Sequence, residues 1–254
     1  MADAIEYRIH GDDLQLLEVQ LDPGESVRAE VGTMTFMEDG VEMATSTGGG
    51  IMKGLARAFT GESFFITSFT NSSREKRHAA FAAPYPGKII PLDLTAVGGT
   101  FLCQKDAFLC AAAGIEIEIA FTKRLGAGIF GGEGFILQRL KGDGLAFLHA
   151  GGTILERVLA PGETLRVDTG CLVAFAPTVE YDIQFIGGFQ NVLFGGEGLF
   201  FAKMTGPGKV YLQSLPFSRL ADRILAAARS GRVDERRGVA GMGGNILGNL
   251  LSGG

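Results

Sequence analysis

A single seven-residue phrase occurs three times along the chain: Phe59-Thr-Gly-Glu-Ser-Phe-Phe65, Phe130-Gly-Gly-Glu-Gly-Phe-Ile136 and Phe194-Gly-Gly-Glu-Gly-Leu-Phe200. Its glutamates, Glu62, Glu133 and Glu197, stand 71 and 64 residues apart. Self-similarity at that period restricts the chain to a tandem array of related units. In each copy glycine supplies the positive φ of a tight turn, and the aromatic and β-branched residues that follow suit a strand. The phrase therefore predicts a turn feeding a strand, over 64–70, 135–140 and 199–204.

A second register supports the duplication independently. Leu21-Asp-Pro-Gly-Glu-Ser-Val-Arg28 returns 138 residues later as Leu159-Ala-Pro-Gly-Glu-Thr-Leu-Arg166. In the same register Glu30 matches Asp168, Gly32 matches Gly170, and Val41-Glu42 matches Val179-Glu180. The offset falls to 135 at the glutamate phrase, so the first copy holds three extra residues between Gly49 and Gly61. The expected organisation is a β unit over 1–85, a second over 86–148, a third over 149–216, and a C-terminal segment over 217–254. In that segment Ser218 is placed to cap a helix running to Arg229, followed by a polar linker and a Gly-rich tail.

Composition agrees with strands and turns. The 254 residues include 39 Gly and 19 Phe but no Trp, and only 20% are charged. With a positive mean hydropathy, this low charge points to a surface partly covered by self-association. The net charge of −5 argues against nucleic acid as the main partner. Cys103, Cys110 and Cys171 form no metal-type CxxC pair and read as small hydrophobes in a reducing compartment. The N-terminus carries Asp3, Glu6 and Arg8 without an apolar core segment, and no run reaches the ~18 apolar residues of a membrane span. The expectation is a cytoplasmic protein.

Candidate functional residues fall into two groups. Within the extra segment, Ile51, Met52, Leu55 and Phe59 share one helical face while Lys53 and Arg57 lie opposite. Such a face suits either anionic lipid or a phosphate-bearing ligand, or else a lid packed on the sheet, and the lid is the expectation because so short a segment binds a membrane poorly alone. Glu62, Glu133 and Glu197 either bind a cation or basic partner or accept backbone N–H bonds in their turns. A repeated residue most often does a repeated structural job, so the structural role is expected.

Chemistry-bearing motifs are sparse. His10, His78 and His149 occur singly, with no HxH pair and downstream glutamate for a cupin-type metal site and no zinc ligand set. No GxSxG nucleophile setting occurs, and Gly126-Ala-Gly128 lacks the strand–helix context of a phosphate loop. His149 lies on an apolar strand and reads as a hydrogen-bonded core histidine. No catalytic residue, metal or cofactor is expected.

Gly126-Ala-Gly-Ile-Phe-Gly-Gly-Glu-Gly-Phe-Ile136, together with Thr60-Gly-Glu-Ser-Phe-Phe65 and the Pro-Gly-Glu turns, resembles the altered-inheritance-of-mitochondria family over about residues 1–216. That resemblance implies an all-β fold of three tandem β-sandwich or short double-stranded β-helix units, like the tryptophan-RNA-binding attenuation protein, with the C-terminal helix lying beyond it. It further implies assembly of chains into a ring, a homotrimer presenting nine units. The function expected on these grounds is a non-enzymatic oligomeric scaffold, with a protein or peripheral membrane partner. The alternative is a ring binding RNA or a small ligand, by fold analogy alone.

Overall fold

The computed structural model describes residues 2–30, 32–47, 65–123, 135–185 and 200–228. The first unit contributes β1 (Glu6–His10), β2 (Leu16–Leu21), β3 (Ser26–Glu30), β4 (Met34–Met37), β5 (Val41–Thr47), β6 (Phe65–Asn71) and β7 (Arg77–Phe81). The second contributes β8 (Gly87–Asp93), β9 (Thr100–Gln104), β10 (Phe108–Ala112), β11 (Glu116–Lys123), β12 (Phe135–Lys141) and β13 (Leu145–Gly151). The third contributes β14 (Ile154–Leu159), β15 (Thr164–Asp168), β16 (Leu172–Phe175), β17 (Glu180–Phe185), β18 (Phe200–Thr205) and β19 (Gly208–Gln213). β13 straddles the boundary expected at 148/149.

The fold is all-β, in three related units, with a helix at the C-terminal side. The units are not separate sandwiches, because they share sheets. One sheet runs β5-β6-β3-β10-β13-β8 and a second runs β11-β12-β9-β16-β19-β14, each taking half its strands from one unit and half from the next. The end sheets, β1-β2-β7-β4 and β15-β18-β17, each belong to a single unit. Residues 1–216 accordingly form one compact unit, and 217–254 a second.

Local chemistry explains the turns. In the Pro-Gly-Glu turns Gly24 (φ 87) and Gly162 (φ 77) adopt the left-handed conformation that glycine tolerates. The glutamate side chain then reaches back: Glu25 Oε2 accepts from Asp22 N and Glu163 Oε2 from Ala160 N, both at 2.8 Å. The polar turn after β6 is organised by Asn71, whose fully buried side chain donates to the Leu21 and Glu75 carbonyls and accepts from Ser73. In β11 the Ile-Glu alternation runs as expected: Ile117 is half-buried, while Glu116 and Glu118 are exposed.

Two apolar clusters follow the shared sheets. One gathers Leu17, Val19, Phe69, Phe81, Phe108 and Phe147 from the first two units. The other gathers Phe135, Leu137, Phe175, Val167, Met204 and Val210 from the second and third. The helix spans 217–228 and starts one residue before Ser218, which therefore lies in the first turn rather than capping it. Phe217, Ile224 and Leu225 on this helix are exposed.

Candidate functional site

The recurring feature of the molecule is the junction at which one unit is zipped to the next. At the first junction β3 pairs antiparallel with β10, Ala29 opposite Cys110 and Arg28 opposite Ala111. At the second, β9 pairs with β16, Cys103 opposite Ala174 and Leu102 opposite Phe175. The equivalence of β4, β10 and β16 is fixed by a bulge that recurs in all three, at Thr35, Leu109 and Val173, where each strand pairs with the last strand of its own unit. A bulge bends its strand and pins the register. Thus Met34, Phe108 and Leu172 are equivalent, as are Phe36, Cys110 and Ala174, and Met37, Ala111 and Phe175.

Among the described residues two such junctions are formed, where three equivalent units could make three. Among the described residues β4 pairs with β7 alone and β15 with β18 alone, so each stands at the edge of its sheet. The sequence of β4 is built for a partner. Met34, Phe36 and Met37 are 39%, 40% and 38% exposed, whereas their equivalents Phe108, Cys110, Ala111, Leu172, Ala174 and Phe175 are at most 1% exposed. An apolar edge strand left open is a template for pairing with another chain.

Each junction also carries a three-residue connection between the incoming strand and the outgoing one. At the second junction this is the 3-10 turn Thr169–Cys171. Two glutamine amides hold it: Gln104 Nε2 donates to the Thr169 carbonyl at 2.6 Å and Gln213 Nε2 to the Gly170 carbonyl at 2.8 Å. At the first junction the turn is Lys105–Ala107, and the strand positions of Gln104 and Gln213 are held by Glu30 and His149. Tyr85 Oη donates to the Asp106 carbonyl at 3.3 Å, and its ring lies edge-on to His149, centroids 4.5 Å apart.

Electrostatics set this cluster apart. Burial first, then the Asp106 charge, raise Glu30 from 4.5 to about 7, with Lys105 opposing. Burial pushes His149 down to about 4, so its imidazole is neutral near pH 7. Its Nδ1 is buried and has no hydrogen-bond partner, unlike the hydrogen-bonded core histidine that the strand pattern suggests. Gly87 makes room for it, since a Cβ there would collide with the His149 ring and the Ala150 carbonyl. Cys103 and Cys110 are fully buried and their thiols are pushed well above the usual range, which makes them inert packing groups.

Of the residues singled out in the sequence, Lys53, Arg57, Glu62, Glu133 and Glu197 all lie outside the described residues. The phrases containing the glutamates fall in the connections of the equivalent hairpins β5–β6, β11–β12 and β17–β18, and Phe65, Phe135 and Phe200 open the returning strands. His10 meets Glu18 at 2.6 Å and His78 meets Glu38 at 3.2 Å, both on the surface. Among the described residues no group of three His, Cys, Asp or Glu is arranged to hold a metal ion, and no helix is long and apolar enough to cross a membrane.

These features define a class: an all-β protein of three related units joined through shared sheets, with β4 and β15 at sheet edges among the described residues. The chain belongs to the family described as Mitochondrial biogenesis AIM24, whose model matches residues 7–215. An uncharacterized protein of Streptococcus pyogenes serotype M6 is 28% identical over 217 residues, 82% of this chain and 85% of that one. The crystal structure of a Streptococcus pyogenes protein superposes with a TM-score of 0.71 at 26% identity, covering 88% of this chain and 99% of that one.

Proposed function

We propose that the protein is a non-enzymatic scaffold that assembles with copies of itself, β4 of one chain pairing with β15 of the next. The observation that carries this reading is the contrast at β4: its apolar residues are half exposed where both equivalent strands are paired and buried. Carrying over the register of the two internal junctions places Phe36 opposite Val167 and Met37 opposite Arg166. Val167 already faces the second apolar cluster, so Phe36 of the neighbouring copy would extend that cluster. Covering these three side chains, each about 40% exposed, stabilises by on the order of 2–4 kcal/mol before the entropy of association is subtracted.

The contact uses different surfaces on its two sides, so it is head-to-tail, and a head-to-tail contact closes into a ring when its rotation permits. Three chains is the number that the family resemblance suggests. The buried thiols of Cys103 and Cys110 suit the reducing cytoplasm as the compartment. Native mass spectrometry of the untagged protein tests the reading. The expected result is a discrete oligomer that Phe36→Lys converts to a monomer with an unchanged far-UV spectrum. A wild-type monomer at micromolar concentration would overturn it.

A further inference from the structure

The strands β2, β8 and β14 are equivalent but differ in what lies along their outer edge. Met34, Phe108 and Leu172 pair with Phe81, Leu148 and Leu212, and these pair in turn with Leu17, Ile90 and Leu155. Glu18, Pro91 and Glu156 therefore share the next position. The edge of β2 is covered by β1, with Ile9 opposite Leu17 and Arg8 opposite Glu18. The edge of β8 is blocked twice. Gln15 accepts from Ile89 N at 2.7 Å through its Oε1 and donates its backbone N–H to the Gly87 carbonyl at 3.2 Å, and Pro91 carries no N–H. Proline at such a position is a known protection of sheet edges against added strands.

Neither device protects β14, which pairs with β19 alone among the described residues. Ser214 N donates to the Thr153 carbonyl at 3.0 Å, and this sets the phase of the ladder. Leu155 and Arg157 turn their backbone groups toward β19, while Ile154, Glu156 and Val158 turn theirs outward. Leu155 is 52% exposed, where its equivalents Leu17 and Ile90 are at most 6% exposed. Val158 is 68% exposed and stands where β2 has Gln20 and β8 has Asp93. Outward N–H and C=O groups flanked by exposed apolar side chains make a template for a further strand.

We propose that β14 is a docking site for an extended segment of a partner protein, which joins the sheet antiparallel to β14 as β1 joins β2. The β1–β2 pair defines the chemistry of that segment. Ile9 lies opposite Leu17 and packs against the first apolar cluster, so the added strand carries an apolar residue opposite Leu155. Glu18 lies opposite Arg8 and meets His10 at 2.6 Å. Glu156 keeps the carboxylate at that position, so the added strand carries a basic residue opposite it. The sheet of β14 holds neither β4 nor β15, so this docking is separate from the self-assembly proposed above.

The probe is the chain's own covering strand as a free peptide, Asp3–Gly11, fluorescently labelled and titrated with the whole protein by anisotropy. Saturable binding of one peptide per chain is expected. Glu156→Pro copies what β8 has at Pro91: it removes an outward N–H and no bond to β19, so the fold is kept while affinity falls on the order of 10-fold or more. Methylating the peptide's backbone nitrogen at Arg8, which faces Glu156 in this register, should cause a similar loss on the unaltered protein, which keeps the test decisive if Glu156→Pro folds poorly. A peptide carrying Arg8→Glu should also bind more weakly, because it sets like charges opposite each other. The proposal is overturned by the absence of saturable binding, by binding that survives backbone methylation, or by binding that folded Glu156→Pro leaves intact, as exchange of the peptide for β1 on β2 would give.

Discussion

The Gln104 side chain donates to the Thr169 carbonyl at 2.6 Å across the boundary of the second and third units. A strand of one unit thereby fixes the turn that launches a strand of the next. This relationship makes the units interdependent: the sheet ladder and the turn clamp both cross the boundary, so no unit holds its full complement of hydrogen bonds alone.

The open edges lead to a covalent test. Met37→Cys and Arg166→Cys are both on exposed edge positions and fall directly opposite one another in the carried-over register. Opposed residues of an antiparallel pair have Cβ atoms about 4.5–5.5 Å apart, within reach of a disulfide after small adjustment. Mild oxidation of the double variant should yield chains linked to other chains, seen as a ladder on non-reducing gels. Either single variant should give no ladder. Predominantly intrachain disulfide would mean that the two edges close on each other within one molecule.

The turn at Asn71 should be a stability hot spot. Its buried amide makes bonds to Leu21, Glu75 and Ser73, and no isosteric apolar group satisfies those partners. Asn71→Ala should cost about 2–4 kcal/mol in urea unfolding, well above the ~1 kcal/mol of an ordinary surface bond. Asn71→Asp should recover only part, because a carboxylate keeps the acceptor for Ser73 and loses the donor to Leu21 and Glu75.

The Pro-Gly-Glu turns give a matched pair. Glu25 and Glu163 make the same bond to the residue three positions back, and both turns are exposed. Glu25→Ala and Glu163→Ala should each destabilise by about 0.5–1 kcal/mol and by similar amounts, as measured by chemical denaturation. A large difference between them would show that the repeat is geometrical but not energetic. The outcome also bears on Glu62, Glu133 and Glu197, whose expected structural role in their own turns follows the same logic.

Much of this was legible in the sequence because repeats and turns are local signals. The Pro-Gly-Glu turns, the Ile-Glu alternation of β11 and the strands beginning at Phe65, Phe135 and Phe200 all follow from residue chemistry within a few positions. Sharing of sheets between units was not legible, since pairing Ala29 with Cys110 or Cys103 with Ala174 is a long-range choice that alternation does not encode. The exposed face of β4 was hidden for the same reason: Met34, Phe36 and Met37 are apolar, and which strand covers them is again a long-range choice. Glu30 was matched to Asp168 by register, but its burial against Asp106 depends on how two units meet. One signal was available: glutamine at Gln104 and Gln213 against glutamate and histidine at Glu30 and His149 is visible once the units are aligned.

The last prediction concerns global stability against pH. Glu30 binds its proton more tightly in the folded protein, about 7 against an ordinary 4.5, so between those values the folded state holds more protons than the unfolded one. Stability from this group is therefore full below about pH 4.5 and declines as pH rises through about 7. The upper bound is about 3 kcal/mol at 1.36 kcal/mol per pH unit. His149 acts in the opposite sense at a lower pH: it is held neutral down to about 4, so acid below its ordinary value near 6.5 destabilises the fold. The two slopes oppose each other between about pH 4.5 and 6.5, which predicts a shallow profile there and a decline at higher pH. In Glu30→Gln stability should rise with pH up to about 6.5 and hold above it, while in His149→Gln it should fall steadily from about pH 4.5 through about 7. Urea denaturation midpoints across the pH range separate these outcomes, and an unchanged wild-type profile in both variants would assign the pH dependence to other groups.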